Sequence, residues 1–332
     1  MRRMLAAASA LCLVFLSACS LPHLSNLQRP TPKSTATATV TATAAPGPLT
    51  AVVAQDLGPL LPHGLEGDAA AAFGGVIYIV GGSGSAGFSD AVYAFSPATG
   101  KVTVAAHLPV ALHDAGAVAT SDGVLVCGGG QSAGSSAIYH VGADGTVSRA
   151  GSMPRVLSDL AGASVGGRPY CLGGWTGSLF SDAVYDVSSL SLAAHLPHAV
   201  RYPAAIPLVG GVLVAGGERV GGVPTDDLQW VPVGPGAAAP SVVGHLSAPI
   251  AYAMGATLGS TGLVIGGCPA TGPPSPAITA VTAQGGVLAV GALPQPLCYG
   301  AAAGLGDAAY VFGGRTADGA ASAQVWKITR KP

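Results

Sequence analysis

Tyr78-Ile79-Val80-Gly81-Gly82 decides the fold, because the chain repeats its pattern five more times. The copies are Leu125-Val126-Cys127-Gly128-Gly129, Tyr170-Cys171-Leu172-Gly173-Gly174, Leu213-Val214-Ala215-Gly216-Gly217, Leu263-Val264-Ile265-Gly266-Gly267 and Tyr310-Val311-Phe312-Gly313-Gly314. Each glycine pair begins 19 residues after a turn residue: Pro62, Pro109, Pro154, Pro197, Ser247 or Pro294. An interval held while the residues inside it change marks one structural unit copied in tandem. Successive pairs lie 47, 45, 43, 50 and 47 residues apart, so length variation falls outside the constant stretch.

Working outward, large apolar residues on both faces of the segment before each pair indicate a strand covered on both sides. The glycines end it, permitting positive φ or a close backbone approach. Eleven to thirteen residues beyond the pair comes another strand, as in Ala91-Val92-Tyr93, Ala183-Val184-Tyr185 and Gln324-Val325-Trp326. A third segment, as in Val102-Thr103-Val104, Leu190-Ser191-Leu192 and Val287-Leu288-Ala289, runs into the Pro turn. The small-residue stretch after that turn, such as Gly116-Ala117-Val118-Ala119, suits a crowded innermost strand. Four antiparallel strands per unit, repeated radially, make an all-β six-bladed propeller over residues 49–330. The last unit lacks an outer strand and Thr50 to Leu57 reads as a strand without a blade, so the N-terminal strand is expected to complete the last blade and remove the exposed edges.

Ser89-Asp90-Ala91-Val92-Tyr93 and Ser181-Asp182-Ala183-Val184-Tyr185, following Gly-Gly and leading to a Pro turn, resemble the signature of the Kelch family. The resemblance covers all six units and implies a Kelch-type propeller. It departs at the outer strand, where the family's usual Trp is missing from every unit.

The first residues have a separate logic. Arg2 and Arg3 precede an apolar run from Leu5 to Leu16, and a run of that length followed by small residues reads as a signal peptide over residues 1–18. Leu16-Ser17-Ala18-Cys19 resembles the lipobox of bacterial lipoproteins, which implies cleavage before Cys19 and its lipidation. Residues 19–48 are Thr, Ala, Ser and Pro with almost no large apolar side chain after Leu27, a composition that reads as a tether. The expected location is thus outside the cytoplasm, held to a membrane through the lipid anchor only. A formal net charge of -1 gives no basic surface for nucleic acid.

Strand order places three columns on one mouth of the central channel. Residues four and five after each turn supply Glu66, His113, Asp114, Ser158, Asp159, Arg201, Tyr202, Tyr252, Cys298 and Tyr299; the residue after each glycine pair supplies Ser83, Gly130, Trp175, Glu218, Cys268 and Arg315. Polar groups converging at a concave mouth point to a ligand site, for a glycan or a protein partner. The same residues can instead cap strands and bond blade to blade, which would make the domain a structural or spacer module. A monomer and no cofactor are expected.

Six-bladed Kelch proteins of this kind look similar to the sialic acid mutarotases, which place a Glu directly after Gly-Gly and an Arg shortly beyond. Gly216-Gly217-Glu218 matches the first part, but the position six residues after Glu218 is Pro224, so Arg219 or Arg201 would have to serve from a different geometry. The resemblance implies Glu218 as a general acid or base if sugar isomerisation occurs. His107, His195 and His245 recur two residues before the turn, on outer strands of three different blades. They cannot gather on one ion, so no metal is expected there. With Cys12 in the signal segment and Cys19 lipidated, four cysteines remain for bridges: Cys268 and Cys298 share the mouth of adjacent blades and are the favoured bridge, with Cys127 and Cys171 a second candidate or buried thiols.

Overall fold

The computed structural model describes residues 47–131 and 133–332. Cys19, the signal segment and nearly all of the tether lie outside the described residues. Six antiparallel sheets, five of four strands and one with a short fifth strand, stand around a central axis, and the described residues contain no α-helix. The innermost strands are Ala69–Phe73, His113–Ala119, Ala161–Val165, Ala204–Leu208, Met254–Leu258 and Ala301–Leu305. Each packs against its two counterparts, and the sixth returns to the first. Val52–Asp56 pairs with Val325–Arg330, so the N-terminal strand supplies the outer edge of blade 6 as the sequence indicates.

The core is divided into six layers, one between each pair of neighbouring blades. In the second strand of blade 1, Ile77 and Ile79 join the layer facing blade 6, whereas Tyr78 and Val80 join the layer facing blade 2. Side chains alternate across a strand, so a strand buried on both faces must be apolar at every position. Burying one such side chain contributes about 1.5–3 kcal/mol, and that contribution recurs at every interface.

The glycine pairs are where one blade receives the next. A side chain on the first glycine would strike the backbone carbonyl entering the following blade: that of Leu112 for Gly81, Leu157 for Gly128, Val200 for Gly173, Ile250 for Gly216, Leu297 for Gly266 and Leu65 for Gly313. The second glycine donates its N–H to that same carbonyl, as Gly82 does to Leu112 (2.9 Å), Gly174 to Val200 (2.8 Å), Gly217 to Ile250 (2.9 Å) and Gly267 to Leu297 (2.9 Å). Gly314 donates to Leu65 at 2.8 Å and so joins blade 6 to blade 1. The repeated motif therefore stitches the ring and in five blades also ends a strand, whereas in blade 2 the strand Gly123–Gly130 continues through the pair.

A second column appears at the start of the third strand. Ser89, Ser135, Ser181, Thr225, Ser275 and Ser322 each accept on the side-chain oxygen the backbone N–H two residues on, at 3.0–3.3 Å. A short hydroxyl side chain satisfies a donor that the turn would otherwise leave unpaired.

Cys268 and Cys298 are disulfide-bonded between blades 5 and 6. The second candidate bridge is corrected: Cys127 and Cys171 are free, buried thiols. They share the layer between blades 2 and 3, but facing sheets pack about 10 Å apart, wider than the ~4.4–6.8 Å that a disulfide spans between Cα atoms. Burial, reinforced by the neighbouring Cys127 thiol, pushes the Cys171 thiol well above its usual range.

Candidate ligand site at the channel mouth

The residue five after each turn starts the inner strand in a left-handed conformation. Asp114, Asp159, Tyr202, Tyr252 and Tyr299 have φ between 53° and 63°, and Gly67 has 64°. Each donates its N–H to the carbonyl of its counterpart one blade back: Asp114 to Gly67 (2.9 Å), Asp159 to Asp114 (3.0 Å), Tyr202 to Asp159 (2.8 Å), Tyr252 to Tyr202 (3.1 Å), Tyr299 to Tyr252 (2.8 Å) and Gly67 to Tyr299 (2.7 Å). Six backbone hydrogen bonds thus close a ring around the axis. Holding non-glycine residues in this conformation costs about 1–2 kcal/mol each, offset here by a hydrogen bond at every step.

The ring presents its side chains at the mouth. Tyr202 stacks on Tyr252 with centroids 4.1 Å apart, and Tyr299 meets Tyr252 edge-on at 4.9 Å. Tyr299 also reaches over Gly67 and donates its hydroxyl to Asp114 Oδ2 at 2.8 Å. Below the ring lies a cavity of about 120 Å³ lined by Asp114, Asp159 and the three tyrosines above alanine and glycine walls. Burial pushes all three tyrosine hydroxyls far above their ordinary range, with nearby carboxylates adding to the shift. The three hydroxyls are therefore held in their neutral form. Asp159 is also raised, first by burial and then by the charge of Asp114. His113 Nδ1 lies 2.6 Å from Asp114 Oδ2; burial alone would lower the imidazole, but the contact with Asp114 overrides it and the net shift is upward.

The residues four after the turn pair by backbone with the residue after Gly-Gly in the same blade, as in Glu66 with Ser83, Ser158 with Trp175, Arg201 with Glu218 and Cys298 with Arg315. Their side chains reach the neighbouring blade. Arg315 grips Glu66 with Nε and Nη2, both at 2.8 Å, and Cys268 is bonded to Cys298. These four residues of the expected ligand rim therefore fasten blade 5 to 6 and blade 6 to 1.

Around blades 3 and 4 the arrangement differs. Arg201 Nε donates to Glu218 Oε2 at 2.8 Å, and Nη1 lies 3.5 Å from Asp159 Oδ2. Its guanidinium carbon sits 5.7, 5.1 and 5.2 Å from the ring centroids of Trp175, Phe180 and Tyr202. The result is one cation, two carboxylates and three aromatic faces on one side of the mouth, with Tyr252 adjoining. Phe180 and Gly67 escaped the sequence reading. The first lies in a loop of variable length, and the second offers no side chain to notice, although its place in the column was visible.

Asp68 was also missed. It is 8% exposed, packs beside Gly313 at the seam of blades 6 and 1, and neither carboxyl oxygen has a partner. Burial pushes its pKa up to about 8, with Glu66 adding to the shift.

The Kelch motif model matches residues 69–109, which span the four strands of blade 1 and the turn that follows. The solved structure of YjhT superposes with a TM-score of 0.71 at 18% identity, covering 80% of this chain and 95% of that one. At that identity the likeness is one of fold. No curated protein matches the chain. Matched motif, glycine-stitched ring and superposition agree that the chain is a six-bladed β-propeller of the Kelch type.

Proposed function

We propose that the protein is a lipid-anchored, extracytoplasmic binding propeller whose ligand, a glycan or the polar face of a partner protein, sits on the blade 3 to blade 5 side of the mouth. One observation carries this reading. Arg315 engages Glu66 in a two-pronged pair that closes the ring, whereas Arg201 commits a single donor to Glu218 at normal length and stands among Trp175, Phe180 and Tyr202. A guanidinium carries five N–H donors, so Arg201 retains donors between aromatic faces, the combination of apolar walls and few convergent polar groups that marks small-molecule sites.

The anchor rests on Cys19 and the segment before it. Val52 pairs with Arg330, and Arg330 Nη1 donates to the Pro48 carbonyl at 2.9 Å, so residue 47 stands at the face opposite the mouth. Pull-down and glycan-array profiles of wild type and the Arg201→Ala/Glu218→Ala double variant test the site; unchanged profiles would remove it.

A second reading, sugar isomerisation of the mutarotase kind, draws on the Arg201–Glu218 contact. It supplies from the inner-strand side the guanidinium that Pro224 does not. Glu218 would then move the proton as general acid or base. Anomer exchange of sialic acid followed by NMR discards this reading if wild type and Glu218→Gln exchange at the same rate.

A further inference from the structure

Three outer-strand histidines are each held by an aspartate at the start of the third strand: His107 by Asp90 at 3.0 Å, His195 by Asp182 at 3.1 Å and His245 by Asp226 at 3.2 Å. In blades 1 and 3 the arrangement stops there, because the residues opposite the histidines in register are Ala91 and Ala183. In blade 4 the residue opposite His245 is Asp227. Asp226 and Asp227 are consecutive, and a regular strand would send them to opposite faces. Asp226 nevertheless reaches His245 just as Asp90 and Asp182, each directly before the residue opposite the histidine, reach His107 and His195, and Asp227 adds a second carboxylate where those blades carry alanine. Both carboxylates consequently reach the same imidazole nitrogen, with Asp227 Oδ1 3.5 Å from His245 Nδ1.

These separations fit a metal polyhedron. With bonds of ~2.0–2.1 Å, the donors of a tetrahedral zinc site stand about 3.3–3.4 Å apart. One ligand atom from each of Asp226, Asp227 and His245 lies within 4.8 Å of the others. The second oxygen of Asp227 is held by His198 Nδ1 at 2.8 Å, with Arg219 Nη1 at 3.6 Å. Such outer contacts orient a metal-binding carboxylate. Gln229, one step further along the face of Asp227, is fully buried; its Oε1 accepts the His198 N–H at 2.8 Å and its Nε2 has no partner among the described residues.

A plain ion pair explains blades 1 and 3 but not blade 4. Holding exposed His245 needs one carboxylate, and Asp226 provides it. Asp227 is 5% exposed at a position where blades 1, 2, 3 and 5 carry Ala91, Ala137, Ala183 and Ala277. Burying a carboxylate there costs several kcal/mol of hydration; His198 and Arg219 meet its Oδ2, which leaves Oδ1, facing His245, for a divalent cation to compensate. We propose that Asp226, Asp227 and His245 form a binding site for a divalent transition-metal ion, zinc by donor type and spacing, with His198 as a positioning residue that holds Asp227 in place.

The test is calorimetric titration of Zn²⁺ into the full chain, free of affinity tags and stripped by chelator. One ion per chain is expected, lost in His245→Ala and in Asp226→Asn and weakened about 10- to 100-fold in His198→Ala. His107→Ala and His195→Ala, which remove the two-membered pairs, leave the titration unchanged and serve as internal controls. Far-UV circular dichroism of each variant verifies the fold; His245 is exposed, so its loss leaves the propeller intact. Absence of binding, binding that survives His245→Ala, or equal weakening by His107→Ala would each overturn the proposal.

Discussion

Gly67 shows how much a missing side chain can decide. Its five counterparts hold the same left-handed conformation with Asp or Tyr, so backbone freedom is not what this position requires. Space is: a Cβ there would lie 2.9 Å from Asp114 Oδ1 and 3.1 Å from the Tyr299 hydroxyl. Gly67→Ala is expected to break the Tyr299–Asp114 bond and destabilise the protein by about 1–3 kcal/mol, the scale of an orphaned buried polar group, measured by denaturant unfolding. Asp68 carries a different prediction. Its folded pKa of about 8 stands above the ordinary 3.8, so its contribution to stability is fully present below pH 3.8 and is lost as pH rises through 8. Asp68→Asn removes that loss. Its advantage over wild type in thermal unfolding should grow from pH 4 to pH 8, by at most ~1.4 kcal/mol per pH unit; an advantage independent of pH would show that Asp68 is not buried in its neutral form. The mouth columns were legible because they follow the repeat. Asp68 was not, because its meaning lies in the absence of a partner, which only packing reveals.

At the scale of elements, the strands were readable because each column has one physical demand: small residues inside, large apolar residues beside them, glycines where the next blade arrives. The glycine pairs read as strand ends, but their second role, donating an N–H to the carbonyl of the following blade and leaving room for it, needed the neighbour's backbone. Two glycines of blade 3 separate these roles. Gly173 and Gly177 both have positive φ, but a Cβ at Gly173 would stand 2.7 Å from the Val200 carbonyl oxygen, while Gly177 has open space around it. Gly177→Ala should lose only the conformational term, about 1–2 kcal/mol. Gly173→Ala adds a backbone clash and should lose clearly more; equal losses in chemical denaturation would refute the stitching role. The Ser/Thr column opening the third strand was within reach of the sequence in all six units, yet only its Kelch-like copies at Ser89 and Ser181 stood out. The outer histidines lie on separate blades, each held by its own aspartate; what sets His245 apart is Asp227 where blades 1 and 3 carry alanine, a difference written in the sequence whose meaning needed the register.

For the whole molecule, the blade count and the closing strand followed from arithmetic on the repeat. Which rim residues hold the ring and which stay available did not, because Arg315 and Cys268 bond across to the next blade whereas Glu218 bonds Arg201 within blade 4, a distinction only the packing shows. The fastenings are uneven. A disulfide joins blades 5 and 6, a two-pronged ion pair joins 6 to 1, and the 3–4 junction carries Arg201 against aromatic rings. Reducing Cys268–Cys298 under native conditions releases a loop of 30 residues and should cost about 3–4 kcal/mol on the chain-entropy relation, read as a fall in Tm with ligand recognition retained.

The division between fastening and binding is tested most directly by setting Arg201→Ala beside Arg315→Ala, each assayed for thermal unfolding and for its glycan-array and pull-down profile. Arg201→Ala should lose the bound ligands, whereas Arg315→Ala should unfold at lower temperature and keep them. Full binding by Arg201→Ala, or loss of binding confined to Arg315→Ala, would contradict the account.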